Sequence, residues 1–215
     1  MVHVTCIFAL VFVLVANCVS SDVQYKPYLS VYYESKCPDS RAFILQQLQP
    51  ALKLLHKHIK LNFIPFGKAR SVNNGHGFEC QHGPAECLGN IVQECALDLM
   101  TGRTDLEKTA YVACEMRTLA GAQGNLECVE KAHLPANLVN ECLSSGRGTS
   151  LQLHSEYLTK IVRPQFVPTV TIDGIFNQQI QDSSQEDLIG TLCSILKETK
   201  ECAQYYNSIA MKFIL

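Results

Sequence analysis

Cys37 stands in Cys37-Pro38-Asp39-Ser40, between an aromatic, β-branched run and a helical pattern. Residue type and position suit thiol–disulfide exchange. A cysteine at a helix start faces unpaired backbone N–H groups and the positive end of the helix dipole. That setting favours thiolate over thiol, and thiolate is the species that attacks a disulfide sulfur. Pro38 falls in the first helical turn, where a missing N–H costs nothing. In a redox Cys-x-x-Cys pair the fourth residue would be a second cysteine that attacks the mixed disulfide and releases product. Here it is Ser40, one helical turn away. Its hydroxyl can donate a hydrogen bond to the thiolate but cannot resolve a mixed disulfide. Asp39 adds negative charge, and Lys36 offsets part of it.

The second chemical element is Val167-Pro168, ahead of a β-forming run. Taken alone, Pro168 reads as an ordinary trans proline at a strand start, since cis X-Pro bonds are uncommon. The order of elements around it resembles a thioredoxin-like domain, and that resemblance implies a cis bond packed against the active cysteine. Cys80, Cys87 and Cys95 with His82 could also be read as zinc ligands. Their spacings are wider than those of common zinc sites, so no metal is expected. His56, His58, His133 and His154 form no constellation and read as surface or capping residues. No cofactor is implied.

Behind these residues lies a plain parts list. Tyr28 to Tyr33 reads as a strand. From about Pro38 to His56, Ile44, Leu48, Leu52 and Leu55 share one helical face, and Pro50 should kink that helix. Leu61 to Phe66 reads as a second strand, parallel to the first through a right-handed crossover. Residues 67–79 read as a loop around Asn73-Asn74-Gly75. Residues 80–163 look helical and cysteine-laced, with segments near 84–100, 105–120, 136–145 and 150–162. Breaks fall at Gly102, at Gly121 to Gly124, at Pro135 and at Gly146 to Gly148. Strand texture returns at 167–176, where Asp173-Gly174 signals a hairpin. Ser183 to Asp187 resembles a capping box for a last helix carrying Leu188, Leu192, Ile195 and Leu196. The order is β-α-β, a helical insert, then β-β-α. That predicts an α/β class with a thioredoxin-like fold and a disulfide-rich helical insertion. Its core is expected over about 25–66 and 165–202, and the insert over about 67–164.

The 215 residues include 11 cysteines and carry a formal charge of −2. That charge gives no electrostatic case for nucleic acid or an anionic membrane. Residues 4–16 are almost wholly apolar but too few to span a bilayer comfortably. Small residues follow at Cys18 and Ser20, so residues 1–20 read as a secretory signal peptide and 21–215 as the mature domain. No other stretch could cross a membrane. Removing the leader takes Cys6 and Cys18 and leaves nine cysteines. In an oxidising compartment one of nine stays unpaired, and Cys37 is the natural candidate. Cys80, Cys87, Cys95, Cys114, Cys128, Cys142, Cys193 and Cys202 can then form four disulfides. Sequence leaves the connectivity open, with Cys193 and Cys202 the favoured local pair. No Asn-x-Ser/Thr acceptor occurs, so a lysosomal route through N-linked sugar is poorly supported.

The stretch from Cys80 to Cys95 reads C-Q-H-G-x2-E-C-x2-N-x4-C, with Gln81, His82, Gly83, Glu86 and Asn90 at its fixed polar and glycine positions. It resembles the signature of the gamma-interferon-inducible lysosomal thiol reductase family, matching every fixed position. The element order is also similar, over about residues 25 to 202. Arthropod members resemble it most, since a Cys-Pro-Asp-Ser form is familiar there. The resemblance implies a thioredoxin-like fold and reduction of protein disulfides, often in acidic endosomes, by a cysteine pair. Cys37 matches the attacking cysteine, Ser40 stands where the resolving cysteine belongs, and Pro168 matches the proline beside it. Two functions compete. One is a monothiol exchanger resolved by an external thiol such as glutathione. The other is a secreted binding protein that kept the scaffold and lost the reductase cycle. The reading adopted is a degenerate site with mainly a binding role and weak or glutathione-dependent exchange through Cys37. The alternative is a functional oxidoreductase. Expected partners are a binding protein or a disulfide-bonded protein substrate, outside the cell or in the endosomal-lysosomal lumen.

Overall fold

The computed structural model describes residues 25–196 and 198–212. The leader expected at residues 1–20 lies outside the described residues. Strand β1 (Tyr28–Tyr33) is central, and its β-branched and aromatic residues suit a strand buried on both faces. It pairs in parallel with β2 (Lys60–Pro65), from Tyr28 opposite Lys60 to Tyr33 opposite Pro65. On its other edge β5 (Thr169–Ile172) runs antiparallel, with Val31 opposite Val170. The sheet order is β2-β1-β5. This is a thioredoxin-like arrangement: β-α-β, then an antiparallel return strand and a closing helix.

The crossover helix has three parts: α1 (Pro38–Phe43), a π-helical turn (Ile44–Leu48) and α2 (Gln49–Leu55). The helix does not end at Pro50. A proline has no N–H to return to the carbonyl four residues back, and its ring crowds that carbonyl. The chain widens instead, with the Gln49 N–H donating to the Ile44 carbonyl five residues back.

Residues 67–79 are more ordered than the loop expected. Strands β3 (Arg70–Val72) and β4 (Gly77–Glu79) form a small antiparallel hairpin. Its turn places Asn73, Asn74 and Gly75 at φ of 50°, 55° and 87°. Asn and Gly tolerate this left-handed region best. The insert then runs through α3 (Pro84–Leu99), α4 (Asp105–Thr118), α5 (Glu127–Lys131), α6 (Ala136–Ser144) and α7 (Arg147–Val162). The break near 146–148 falls at Gly146 alone, while Gly148 lies inside α7.

The Asp173-Gly174 turn forms, but the second hairpin strand reduces to one bridge between Ile172 and Ile175. Helices α8 (Gln178–Glu186), α9 (Leu188–Leu196) and α10 (Lys200–Lys212) close the chain. The capping box expected at Ser183 is a misreading, because Ser183 to Glu186 lie inside α8. Asn177 caps α8 by accepting from the Ile180 N–H at 3.0 Å. Asp187 precedes α9 and accepts from the Gly190 N–H at 2.8 Å.

Side chains alternate along β1 as the period of two requires. Leu29, Val31 and Tyr33 enter the main core with Phe43, Leu48 and Leu52 of the crossover helix. Cys95, Met100, Tyr111, Val112 and Met116 of the insert belong to that same core. Tyr32 points the other way, into a smaller cluster with Ile64 and Phe66 that packs against Leu158 and Val162 of α7.

Candidate functional site

Cys37 caps α1. Its backbone is extended, its sulfur accepts from the Ser40 N–H at 3.5 Å, and Pro38 opens the helix. The thiol reaches the Val167 carbonyl at 3.9 Å, and the Val167–Pro168 peptide is cis. So the fold brings Cys37 and Val167, 130 positions apart, together. Cys37 is buried, with 6% of its surface exposed. Ser40 is fully buried and differs from expectation in which of its groups meets the sulfur. Its amide does, while its hydroxyl oxygen accepts from the Glu34 N–H at 3.4 Å.

Gln181 of α8 was not anticipated from sequence. Its side chain accepts from the Val170 N–H at 2.8 Å and donates to the Pro168 carbonyl at 3.0 Å. A buried amide bonded to two backbone groups in this way fixes the start of β5 beside the thiol. No sequence signal marks it, because no helix is expected over 178–186.

The fixed residues of the Cys80–Cys95 stretch converge on the turn before Cys37. The Ser35 N–H donates to Asn90 Oδ1 at 2.9 Å, and the Ser35 hydroxyl donates to the Glu86 carbonyl at 3.0 Å. Lys36 Nζ donates to the His82 carbonyl at 3.4 Å. The Tyr33 hydroxyl donates to Gln93 Oε1 at 2.6 Å. Glu34 accepts the Lys68 N–H at 2.7 Å. With its amide nitrogen turned toward Glu34, Gln81 donates to both carboxylate oxygens, at 3.2 and 3.3 Å. His82 Nδ1 lies 2.6 Å from Glu86 Oε2 and 3.4 Å from Glu34 Oε2. The His82 N–H donates to Glu86 Oε1 at 3.1 Å. Gly89 is required by this approach, since a Cβ there would sit 2.6 Å from Ser35 Oγ.

Both carboxylates are fully buried, whereas His82 is about a third exposed. Burial raises the Glu34 pKa, the Lys68 N–H opposes that, and Glu86 adds to it, while the charges of His82 and Lys68 lower it. Glu34, His82 and Glu86 offer ligand atoms within 4.8 Å of one another and are the grouping among the described residues that could hold a metal ion. Their oxygens already receive donors, so the network is satisfied as it stands. Zinc on Cys80, Cys87 and Cys95 is ruled out by their bonding, since sulfur in a disulfide is not a thiolate ligand.

The disulfides are Cys80–Cys87, Cys95–Cys142, Cys114–Cys128 and Cys193–Cys202, and Cys37 is the free cysteine among the described residues. Cys80–Cys87 closes the loop that carries Gln81 and His82. Beside Pro168 runs a groove of about 430 Å³ lined by Asp39, Phe43, Phe166, Val167, Gln181 and Gln185.

The sequence pattern of the family described as Gamma interferon inducible lysosomal thiol reductase (GILT) matches residues 28–132. GILT-like protein 1 of Drosophila melanogaster is 31% identical over 196 residues, spanning 82% of this chain and 78% of that protein. The chain belongs to the GILT family. A second relative is the Gamma-interferon-inducible lysosomal thiol reductase-like protein of Anopheles gambiae. It is 32% identical over 195 residues, covering 83% of this chain and 81% of that protein. Among solved structures, a thioredoxin-like oxidoreductase from Silicibacter pomeroyi DSS-3 aligns with TM-score 0.49 at 12% identity, over 76% of this chain and 87% of that one. The GILT signature at 80–95 lies inside the matched span and contributes the groups that grip the Glu34–Lys36 turn. As for membranes, no helix among the described residues is long and apolar enough to cross one.

Proposed function

We propose that this GILT-family protein carries a degenerate reductase site, with mainly a binding role and weak exchange through Cys37. A protein partner lies in the groove beside Pro168, and Cys37 forms a mixed disulfide with it. An external thiol such as glutathione releases that bond, in the lumen of an acidic compartment or outside the cell. The observation that carries this reading is Ser40. It occupies the position one turn from Cys37, is fully buried, and has its hydroxyl oxygen engaged by the Glu34 N–H. A serine hydroxyl stays protonated and cannot displace a thiolate from a mixed disulfide. The second reading, an unaided disulfide reductase, is favoured by the contact between the Cys37 thiol and the carbonyl preceding Pro168.

Insulin-disulfide reduction separates the two, run at about pH 4.5 and about pH 7 with and without glutathione. Turnover only with glutathione supports the proposal. Turnover without added thiol would favour the unaided reductase. No turnover in any condition would leave binding as the remaining role, and the exchange component would be withdrawn.

A further inference from the structure

The strongest unassigned feature is the hydrogen-bond network around the buried carboxylates of Glu34 and Glu86 that joins the family signature to the turn before the thiol. Its members come from three segments: the β1–α1 turn, the 80–87 disulfide loop and the first turns of α3. Tyr33, Glu34, Ser35 and Lys36 are four consecutive residues, and each is bound by a residue of the signature stretch. The Cys37 N–H then donates to the Glu34 carbonyl at 3.3 Å, and the Glu34 N–H donates to Ser40 Oγ. Glu34 is therefore tied to both ends of the Cys37–Ser40 segment through its backbone and to the signature through its carboxylate. His82 Nδ1 sits between two buried carboxylates, 2.6 Å from Glu86 Oε2 and 3.4 Å from Glu34 Oε2.

We propose that Gln81, His82 and Asn90 are positioning residues that hold the β1–α1 turn so that the Cys37 sulfur points in line at an incoming disulfide. This rests on the reading of Cys37 as an exchanging thiol. In that step the Cys37 thiolate attacks one sulfur of the disulfide, a Cys37–sulfur bond forms, the original S–S bond breaks, and its electron pair leaves on the second sulfur as thiolate. No other oxidant or reductant takes part. The attack needs alignment of three sulfurs, whereas alkylation of the same thiol needs only access. A loosened turn therefore separates the two rates.

The test measures both rates on the folded full-length mature chain: mixed-disulfide formation with oxidised glutathione, and alkylation with iodoacetamide. In His82→Ala, exchange is expected to fall at least about tenfold while alkylation does not fall. His82→Asn keeps an N–H donor near the Nδ1 position and should exchange within about threefold of wild type. Gln81→Ala removes an exposed side chain that donates to Glu34 and should lower exchange at least about threefold. It serves as the second variant if His82→Ala fails to form the four disulfides. General destabilisation would raise both rates together, so rates moving in parallel, or unchanged exchange, overturn the proposal. A wild type that alkylates but does not exchange, or does neither, overturns the reading of Cys37 itself, and the positioning role falls with it.

Discussion

At Ser40 a single atom separates this site from a two-cysteine one. Ser40→Cys would place a second thiol one helical turn from Cys37, where it can attack the mixed disulfide at high effective concentration. The variant is expected to gain unaided turnover of a fluorogenic disulfide substrate by at least about tenfold, and Cys37→Ser in that background to abolish it. The exchange of acceptor has a cost, because sulfur is a weaker acceptor for the Glu34 N–H than the hydroxyl it replaces. If the variant forms all four disulfides and still turns over like wild type, more of the site than position 40 has been lost. Residue chemistry thus asks two separate questions of this loop: whether Cys37 attacks, and whether anything releases what it binds.

Among the elements, the close approach of α7 to α3 shows how local rules yield to packing. A glycine inside a helix ordinarily weakens it, and replacement by alanine stabilises by about 0.5–1 kcal/mol. Gly148 reverses that sign. A Cβ there would sit 2.6 Å from Ile91 Cγ2, 3.1 Å from Cys95 Sγ and 3.3 Å from the Cys142 carbonyl oxygen. Two of these atoms belong to the residues of the disulfide that joins α3 to α6, so they yield little. Gly148→Ala is therefore expected to destabilise by about 1–3 kcal/mol, the cost of overpacking a filled interface. Thermal unfolding reads this directly, and an unchanged or raised midpoint would show that α7 can shift outward freely.

For the whole molecule, the balance of buried acids sets how stability follows pH. Glu94 lies between α3 and α7, where burial pushes its carboxyl up to about 8. Ser155 donates to it, and Gln152 donates at 3.5 Å. Its ordinary value is 4.5, so between those limits the folded chain holds a proton that the unfolded chain has released. Bound protons in the folded state then exceed those in the unfolded state, and stability falls as pH rises through that window. Glu34 and Glu115, whose carboxyls burial also raises, act with the same sign. Glu156, held below the ordinary range by the Ser71 N–H and Lys160 against the opposing effect of burial, acts against it as pH falls. Urea unfolding should show a protein on the order of 2 kcal/mol more stable at about pH 5 than at about pH 8. Glu94→Gln, neutral at both, should remove most of that difference. An undiminished difference in the variant would assign the pH dependence to the other acids.

Part of this fold is legible along the chain and part is not. The aromatic and β-branched run Tyr28–Tyr33, the 3.6-residue spacing of Ile44, Leu48, Leu52 and Leu55, and the cysteine count predicted the β-α-β opening and the thiol at its junction. These are local properties, carried by neighbours in sequence. The interruption expected at Pro50 takes the form of a π-helical turn just before it. A boundary failed at Ser183, which lies inside α8 and leaves the cap of α9 to Asp187. The signature pattern marked Gln81, His82, Glu86 and Asn90 as a set but gave no hint of what they hold. Their partners at Glu34 and Ser35 lie about fifty positions earlier, in what read as an ordinary polar turn. Only folding α3 against the end of β1 brings the two buried carboxylates to one histidine. Hydrogen bonding at that range is set by tertiary approach, and no periodicity along the chain encodes it.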